Sequence, residues 1–272
     1  MSADGRADTV RSRVFGEVAE LYDVARPGYS DALVRDVLAY ARLGDRAAVE
    51  VGAGTGKATV PFAAHGIPLI CVEPDPRMAE VLRRNTAGYP GVDIEVCGFE
   101  EWRPGPRRFG LLFAATCWHW MAPDRRWDLV HSALEPGGAV ALFWNPLGVV
   151  DGGLHTELAE IDRRHGVVDS PHGRLASSYG DEPGSGGTDD IWPEAECLRD
   201  GRFTDARSVR FRQEVRFDTD RYLAHLASVS AYRILPADRR AQALADTAHL
   251  LDSHGGGIDL HHLSDLFLAR TR

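Results

Sequence analysis

The 272-residue chain carries 31 Lys plus Arg against 40 Asp plus Glu, a net charge of −9 and a pI near 5.6, which argues against a polyanionic partner because a phosphate backbone is bound by a basic face. That length suits one α/β domain with a sizeable core and an insertion. The N-terminus lacks an apolar signal core, no stretch approaches the ~18 apolar residues of a membrane span, and Cys71, Cys97, Cys117 and Cys197 form no C-x-x-C pair, so a soluble, cytoplasmic protein with free thiols is expected.

Residues 1–13 are polar, and Val14, Phe15, Val18, Ala19 and Leu21 give a short helical face that Pro27 and Gly28 break. Ser30 then caps a second helix with Leu33, Val34, Val37, Leu38 and Ala41 on one stripe, stopped at Gly44. Residues 47–51 read as a buried strand, 57–65 as a helix closed by Gly66, and 69–72 as a second buried strand ending in Glu73. Asp75 caps a helix with Pro76 at its first position, and Val92, Ile94 and Val96 alternate as a third strand. A fourth strand over 111–115, a helix from Pro123 to Leu134 and a fifth strand over 139–144 follow. Strands alternating with helices across short connections predict right-handed βαβ units and an open, doubly wound, mostly parallel sheet.

The rhythm breaks over 145–201, which holds one helix, 154–164, and a Gly/Ser/Asp-rich span, 180–190, expected to be a mobile lid loop. Val209, Phe211, Val215 and Phe217 alternate with charged residues as a half-exposed strand, helices are expected over 219–232 and 237–253, and the apolar run 258–269 reads as a seventh strand.

Three glycines, Gly52, Gly54 and Gly56, follow the first strand directly, as expected where a strand turns sharply into a helix and a ligand must touch the backbone. A Walker loop would need Gly at position 51 and Ser or Thr at position 58, which are Val51 and Ala58. A dinucleotide fingerprint would put its third glycine where Lys57 stands. Glu73 ends the second strand seventeen residues after Gly56, where a doubly wound nucleotide fold places the acid that accepts ribose hydroxyls.

The E-x-G-x-G-x-G pattern from Glu50 to Gly56 resembles motif I of the class I S-adenosylmethionine-dependent methyltransferases, of the small-molecule, methyltransferase-11/25-like type. The resemblance covers 22–144 at motif level and, by element order, nearly the whole chain. It implies a Rossmann-like, seven-stranded, mostly parallel sheet with an antiparallel last strand and an inserted helical lid. Its parts would be N-terminal helices closing over the cofactor (1–46), the S-adenosylmethionine-binding core (47–146), a lid or acceptor insertion (147–205), and the end of the sheet (206–272) with cap helices at 219–253. It implies further that Gly52, Ala53 and Gly54 approach the cofactor's methionine part, that Glu73 with Pro74 holds the ribose, and that Gly98, Phe99 and Glu100 contact the adenine. Thr116 would line the methionine side and Glu50 would order the loop and the cofactor amine. Tyr22 and Arg26 match the family's N-terminal Y-x-x-x-R-P-x-Y segment, where a guanidinium fork suits the cofactor carboxylate. The chain departs from the family pattern at Gly98, where relatives often carry Asp, which shifts adenine recognition to backbone groups or Glu100, and at Gly110, where an Asp commonly opens the fourth strand, a structural difference.

Methyl transfer from a sulfonium is an in-line displacement, so alignment dominates and a base matters only where the nucleophile carries a removable proton. His119, between Trp118 and Trp120 at the end of the fourth strand, is the best-placed candidate base; a packed histidine orienting the loop is the competing role. His261 and His262 have no second cluster at ligand spacing, so no metal is expected. The expected activity is methylation of a small-molecule acceptor, plausibly in natural-product (antibiotic) biosynthesis, by a monomer or homodimer that uses neither nucleic acid nor membrane. Two other readings are a protein of the same fold that binds S-adenosylmethionine without methylating, and a nicotinamide oxidoreductase, which the glycine spacing disfavours.

Overall fold

The computed structural model describes residues 16–168, 170–172, 174–184 and 192–272; the polar 1–13 segment, Val14 and Phe15 of the first helical face, and 185–190 of the 180–190 span lie outside the described residues. Two helices, α1 (Ala19–Ala25) and α2 (Asp31–Ala41), precede β1 (Ala48–Val51). Ser30 Oγ accepts the Leu33 N–H at 3.3 Å to start α2, and Arg42 in the left-handed region ends it, two residues before Gly44. Then come α3 (Thr59–Ala63), β2 (Leu69–Val72), α4 (Pro76–Asn85), β3 (Val92–Glu95), β4 (Phe109–Ala115), α5 (Arg126–Ala133), β5 (Leu134–Trp144) and β6 (Leu147–Val149). At the head of α4, Asp75 Oδ1 accepts the Arg77 N–H at 2.9 Å with Pro76 at the first position, where its missing N–H costs nothing.

The rest comprises α6 (Gly152–His165), α7 (Glu194–Asp200), β7 (Phe203–Asp218), α8 (Thr219–Ala227), α9 (Ser230–Arg233), α10 (Ala237–Ser253) and β8 (Gly257–Thr271). One sheet runs in the order β3-β2-β1-β4-β5-β8-β6, with β7 also paired to β8. β8 is antiparallel to β5, β6 and β7, while the other registered neighbours are parallel. The seven expected strands are all present; the eighth is the short β6, which pairs with β8 beyond the end of β5. Fully buried β1 separates two apolar layers, one holding Val49 and Val51 with Phe109, Leu112 and Trp118, the other Ala48 with Phe62, Phe113 and Phe143.

Register places the cap. Ala139 pairs with Arg270 and Trp144 with Asp265, so residues 257–264 of β8 run past the carboxyl end of β5. There β8 continues against β7, Val215 opposite Leu260 and Phe217 opposite Ile258, and α8 to α10 join the far ends of these two strands. The cap therefore lies beyond the carboxyl ends of the parallel strands, where doubly wound folds bind ligands. Its own core contains Leu154, Leu158, Phe217, Tyr222, Leu226 and Tyr232.

Three expectations need correction. The helix expected over 219–232 is two, α8 and α9, because the chain turns at Ser228 and Val229. The insertion expected from 147 begins after Val149, since β6 belongs to the sheet. At its far end, Trp192 and Cys197 pack into the sheet core and Glu196 pairs with Arg126 at 2.6 Å, so residues 192–200 form part of the sheet's covering layer. No described helix is long and apolar enough to cross a membrane.

Candidate cofactor and acceptor site

The turn after β1 brings Gly52 and Gly54 into the left-handed region, φ +67° and +59°, which an L side chain rarely adopts. A Cβ on Gly52 would also meet Cys117 Sγ at 2.7 Å, so glycine is required there by space as well as by φ. Cys117 hydrogen-bonds through its sulfur to the Val51 carbonyl at 3.0 Å and underlies the turn.

Glu73 meets this turn from β2. Its Oε2 accepts the Gly54 N–H at 2.7 Å and its Oε1 the Asp75 N–H at 2.9 Å. Burial raises its pKa to about 7 against the lowering effect of these two N–H donors. Glu50 lies beneath the turn: its Oε2 accepts the Thr59 hydroxyl at 2.6 Å, and burial lifts its pKa to about 8. Glu50 thus ties β1 to the helix that leaves the glycine turn.

The N-terminal segment closes over the turn from the other side. Tyr22 is raised in pKa by burial, with Arg26 opposing and Cys117 and Glu73 adding to the rise, which brings it into the field of both the turn and the acid. Arg26 stacks on the Tyr22 ring at 5.3 Å and donates through Nε to Ser228 Oγ (2.9 Å) and through Nη2 to the Ser228 carbonyl (3.3 Å). It therefore joins α1 to the cap. Thr116 holds a left-handed φ of +56° at the end of β4, uncommon for a β-branched residue. Its hydroxyl donates to Asn145 Oδ1 at 3.2 Å and lies 2.8 Å from the Tyr29 hydroxyl, while Asn145 Nδ2 donates to the Pro27 carbonyl at 3.3 Å. This chain of bonds fastens the N-terminal segment across the ends of β4 and β5.

After β3 the structure places the expected adenine segment with mixed consequences. Phe99 is buried and stacks with Trp102 at 6.1 Å, and Glu100 Oε1 accepts the Ala122 N–H at 2.9 Å. The Glu100 carboxylate thus orders the chain leading into α5. His119 lies in a single 3₁₀ turn, Trp118–Trp120, half-buried, with its ring 4.5 Å from that of Trp120. Trp118 is core: fully buried, 4.9 Å from Trp127 and under the Arg126 guanidinium at 4.7 Å. Among the described residues no three His, Cys, Asp or Glu side chains gather to hold a metal ion.

Glu73, the glycine turn, Tyr22 and Arg26 thus come together, with Thr116 bonded to the same N-terminal segment. Sequence reasoning missed Ser228, Asn145 and Cys117. Asn145 directly follows β5 at the binding edge, which was a usable signal; Ser228 lies 202 residues from Arg26 and carried none.

The model of a methyltransferase domain matches residues 48–138. An uncharacterized methyltransferase of Mycobacterium tuberculosis is 32% identical over 152 residues, 56% of this chain and 60% of the relative, so the match spans about three-fifths of that protein's length. Among solved structures, a proposed type II methyltransferase from Anaeromyxobacter dehalogenans superposes with TM-score 0.59 at 21% identity, over 90% of this chain and 97% of that one. A phosphoethanolamine N-methyltransferase 2 of Haemonchus contortus, solved with phosphomonomethylethanolamine and S-adenosylhomocysteine, superposes with TM-score 0.51 at 15% identity, over 98% of this chain and 58% of that one. At these identities the two structures speak for the fold.

Proposed function

We propose that the chain, whose residues 48–138 match a methyltransferase domain, is a class I S-adenosylmethionine-dependent methyltransferase that methylates a small-molecule acceptor held beneath the cap of α8 to α10. The observation that carries this reading is the Gly54–Glu73 hydrogen bond, which sets a side-chain-free backbone turn against a buried carboxylate. Such a pair fits a ligand with a ribose diol and a compact amino-acid end, and the turn's spacing does not suit a phosphate.

Bound there, S-adenosylmethionine would supply an electrophilic methyl on a sulfonium sulfur. The residues that would hold it are Gly52, Ala53 and Gly54 with Tyr22, Arg26 and Thr116 at the methionine part, Glu73 and Pro74 at the ribose, and Gly98 with Phe99 at the adenine. Glu50 orders the turn and the cofactor amine, and Glu100 joins the adenine contacts. His119 is the proposed base for an acceptor with a removable hydroxyl proton. The acidic balance of the chain supports a small acceptor over a nucleic acid, and tailoring of a natural product in the cytoplasm is the setting proposed.

Two measurements test this. S-adenosylhomocysteine should raise the melting temperature, since a ligand selective for the native state stabilises it; no shift at millimolar concentration removes the reading. Incubation with methyl-deuterated S-adenosylmethionine and a panel of acceptors should give a product heavier by one labelled methyl; a tightly bound cofactor that is never consumed would point to a non-methylating role.

A further inference from the structure

Where the cap meets the sheet, two histidines are buried with a ring nitrogen unsatisfied. His225, on α8, is 6% exposed, stacked on Tyr222 (centroids 6.2 Å, 18°) and edge-on to Phe217 at 6.4 Å. His262, on β8, is 8% exposed and opposite Leu147 of β6, past the carboxyl end of β5. Among the described residues neither His225 Nδ1 nor His262 Nε2 has a hydrogen-bond partner, although both atoms are buried. Two buried ring nitrogens without a protein partner, in electrostatic reach of one another, are open to a ligand's hydrogen-bonding group.

The charges around them give that ligand a sign. His225 is faced by Arg26 from the end of α1, His172 from the loop after α6, His262 from β8 and Arg221 from its own helix, with no carboxylate in the set. Asp162, the buried acid of the cap, is engaged by the Ser170 hydroxyl, by the Tyr232 hydroxyl at 2.6 Å and by His172 at 3.5 Å. Arg26 hydrogen-bonds to Ser228, and the cofactor carboxylate is the partner proposed above for its charge.

We propose that His225 and His262, in the field of Arg26 and Arg221, form the subsite that anchors a carboxylate group of the methyl acceptor. The inference rests on the methyltransferase reading and deepens it by naming the acceptor class, a small organic acid. An ammonium there would meet no carboxylate among the groups that face His225, and Arg221 would repel it. A phosphate dianion would lose more hydration than a carboxylate on entering a site walled by Phe217 and Tyr222, which are 1% and 2% exposed. Burial, then the surrounding cations, hold the His225 pKa well below the usual histidine value, and burial with Arg221 lowers that of His262, so both rings are neutral in the free protein and can donate one N–H each.

The test uses the full chain, with and without saturating S-adenosylhomocysteine, and three probes: benzoate, phenyl phosphate and neutral benzamide. Calorimetry should find benzoate bound and preferred over both others, and His225→Asn and His262→Gln should each weaken it roughly tenfold or more, as loss of a hydrogen bond to a charged group does, while S-adenosylhomocysteine still binds. Histidine nitrogen spectra of the wild type should show the His225 ring altered by benzoate. Benzamide binding as well as benzoate, phenyl phosphate binding better, or benzoate affinity unchanged in both variants overturns the proposal. Should either variant not fold, the probe order and the ring spectra of the wild type decide alone. Absence of S-adenosylhomocysteine binding would instead sink the methyltransferase reading, and the benzoate preference without it still judges this subsite.

Discussion

Glu73 accepts the backbone N–H of Gly54 at 2.7 Å, so one carboxylate ties the end of β2 to the glycine turn that leaves β1. The bond aligns the turn before any ligand arrives, and the same oxygens keep lone pairs for the hydroxyls of a ribose. Replacing Glu73 by Ala should weaken S-adenosylhomocysteine binding by roughly 1.5–3 kcal/mol, the range for hydrogen bonds to a charged group. Calorimetry on the folded variant checks this, and an unchanged affinity takes Glu73 out of the site.

The buried acid under the turn makes a prediction in pH. Burial raises Glu50 to about 8 from an ordinary carboxyl value near 4.5, so the folded chain binds this proton more tightly than the unfolded chain does. Its contribution to stability is complete below about pH 4.5 and is lost as pH rises through about 8. Glu73, raised to about 7, acts in the same direction over the lower part of that window. Glu50→Gln keeps an acceptor for the Thr59 hydroxyl without the ionisation, so its melting temperature should fall less than that of the wild type between pH 5 and 8. Parallel curves for the two proteins would show that Glu50 does not titrate in this range.

Local chemistry made the half of the sheet that carries the glycine turn legible. The Asp75–Pro76 cap, the buried strand over 69–72 and the positive-φ glycines each declare themselves within a few residues. The cap was harder to place because its position depends on the β7–β8 ribbon, whose pairing joins residues up to 68 apart, Phe203 with Thr271, and leaves no local mark. The same distance hid the Arg26–Ser228 contact. Glu100 is expected at the adenine through the family resemblance; its Oε1 also accepts the Ala122 N–H, a partner defined only once α5 folds back.

The expected lid is tied down on one side by a buried ion pair. Arg210 on β7 meets Asp265 on β8 through Nε at 2.5 Å and Nη2 at 2.6 Å, with side chains 5% and 1% exposed, and the Gly184 N–H donates to Asp265 Oδ2 at 3.0 Å. Asp265→Asn removes the buried carboxylate that holds Arg210 through two nitrogens, which should cost about 3–5 kcal/mol. Denaturant titration should report that loss. A change under about 1 kcal/mol would mean that water or another acid compensates, as for exposed pairs.

Arg26 offers a test that separates the parts of the cofactor. If its guanidinium pairs with the methionine carboxylate, Arg26→Met should weaken S-adenosylhomocysteine roughly tenfold or more and leave adenosine, which lacks that carboxylate, within a few fold. Equal losses for both ligands would make Arg26 a structural tie to Ser228.

His119 carries the most exposed prediction. It stands in the 3₁₀ turn after β4 with its ring against Trp120, at the edge where ligands of this sheet type bind. General-base assistance typically contributes 10²–10⁴-fold, so with a hydroxyl acceptor His119→Ala should lower kcat by about that factor while cofactor affinity stays within a few fold. Where the methylated atom is already unprotonated, such as a neutral amine, the variant should keep most of its rate, because no proton has to leave. The pH dependence of kcat distinguishes a base from a packing residue: an imidazole that takes the proton gives an acidic limb, and that limb vanishes with the ring. A limb that persists in the alanine variant assigns the proton to another group, and a loss of S-adenosylhomocysteine binding places His119 with the cofactor instead.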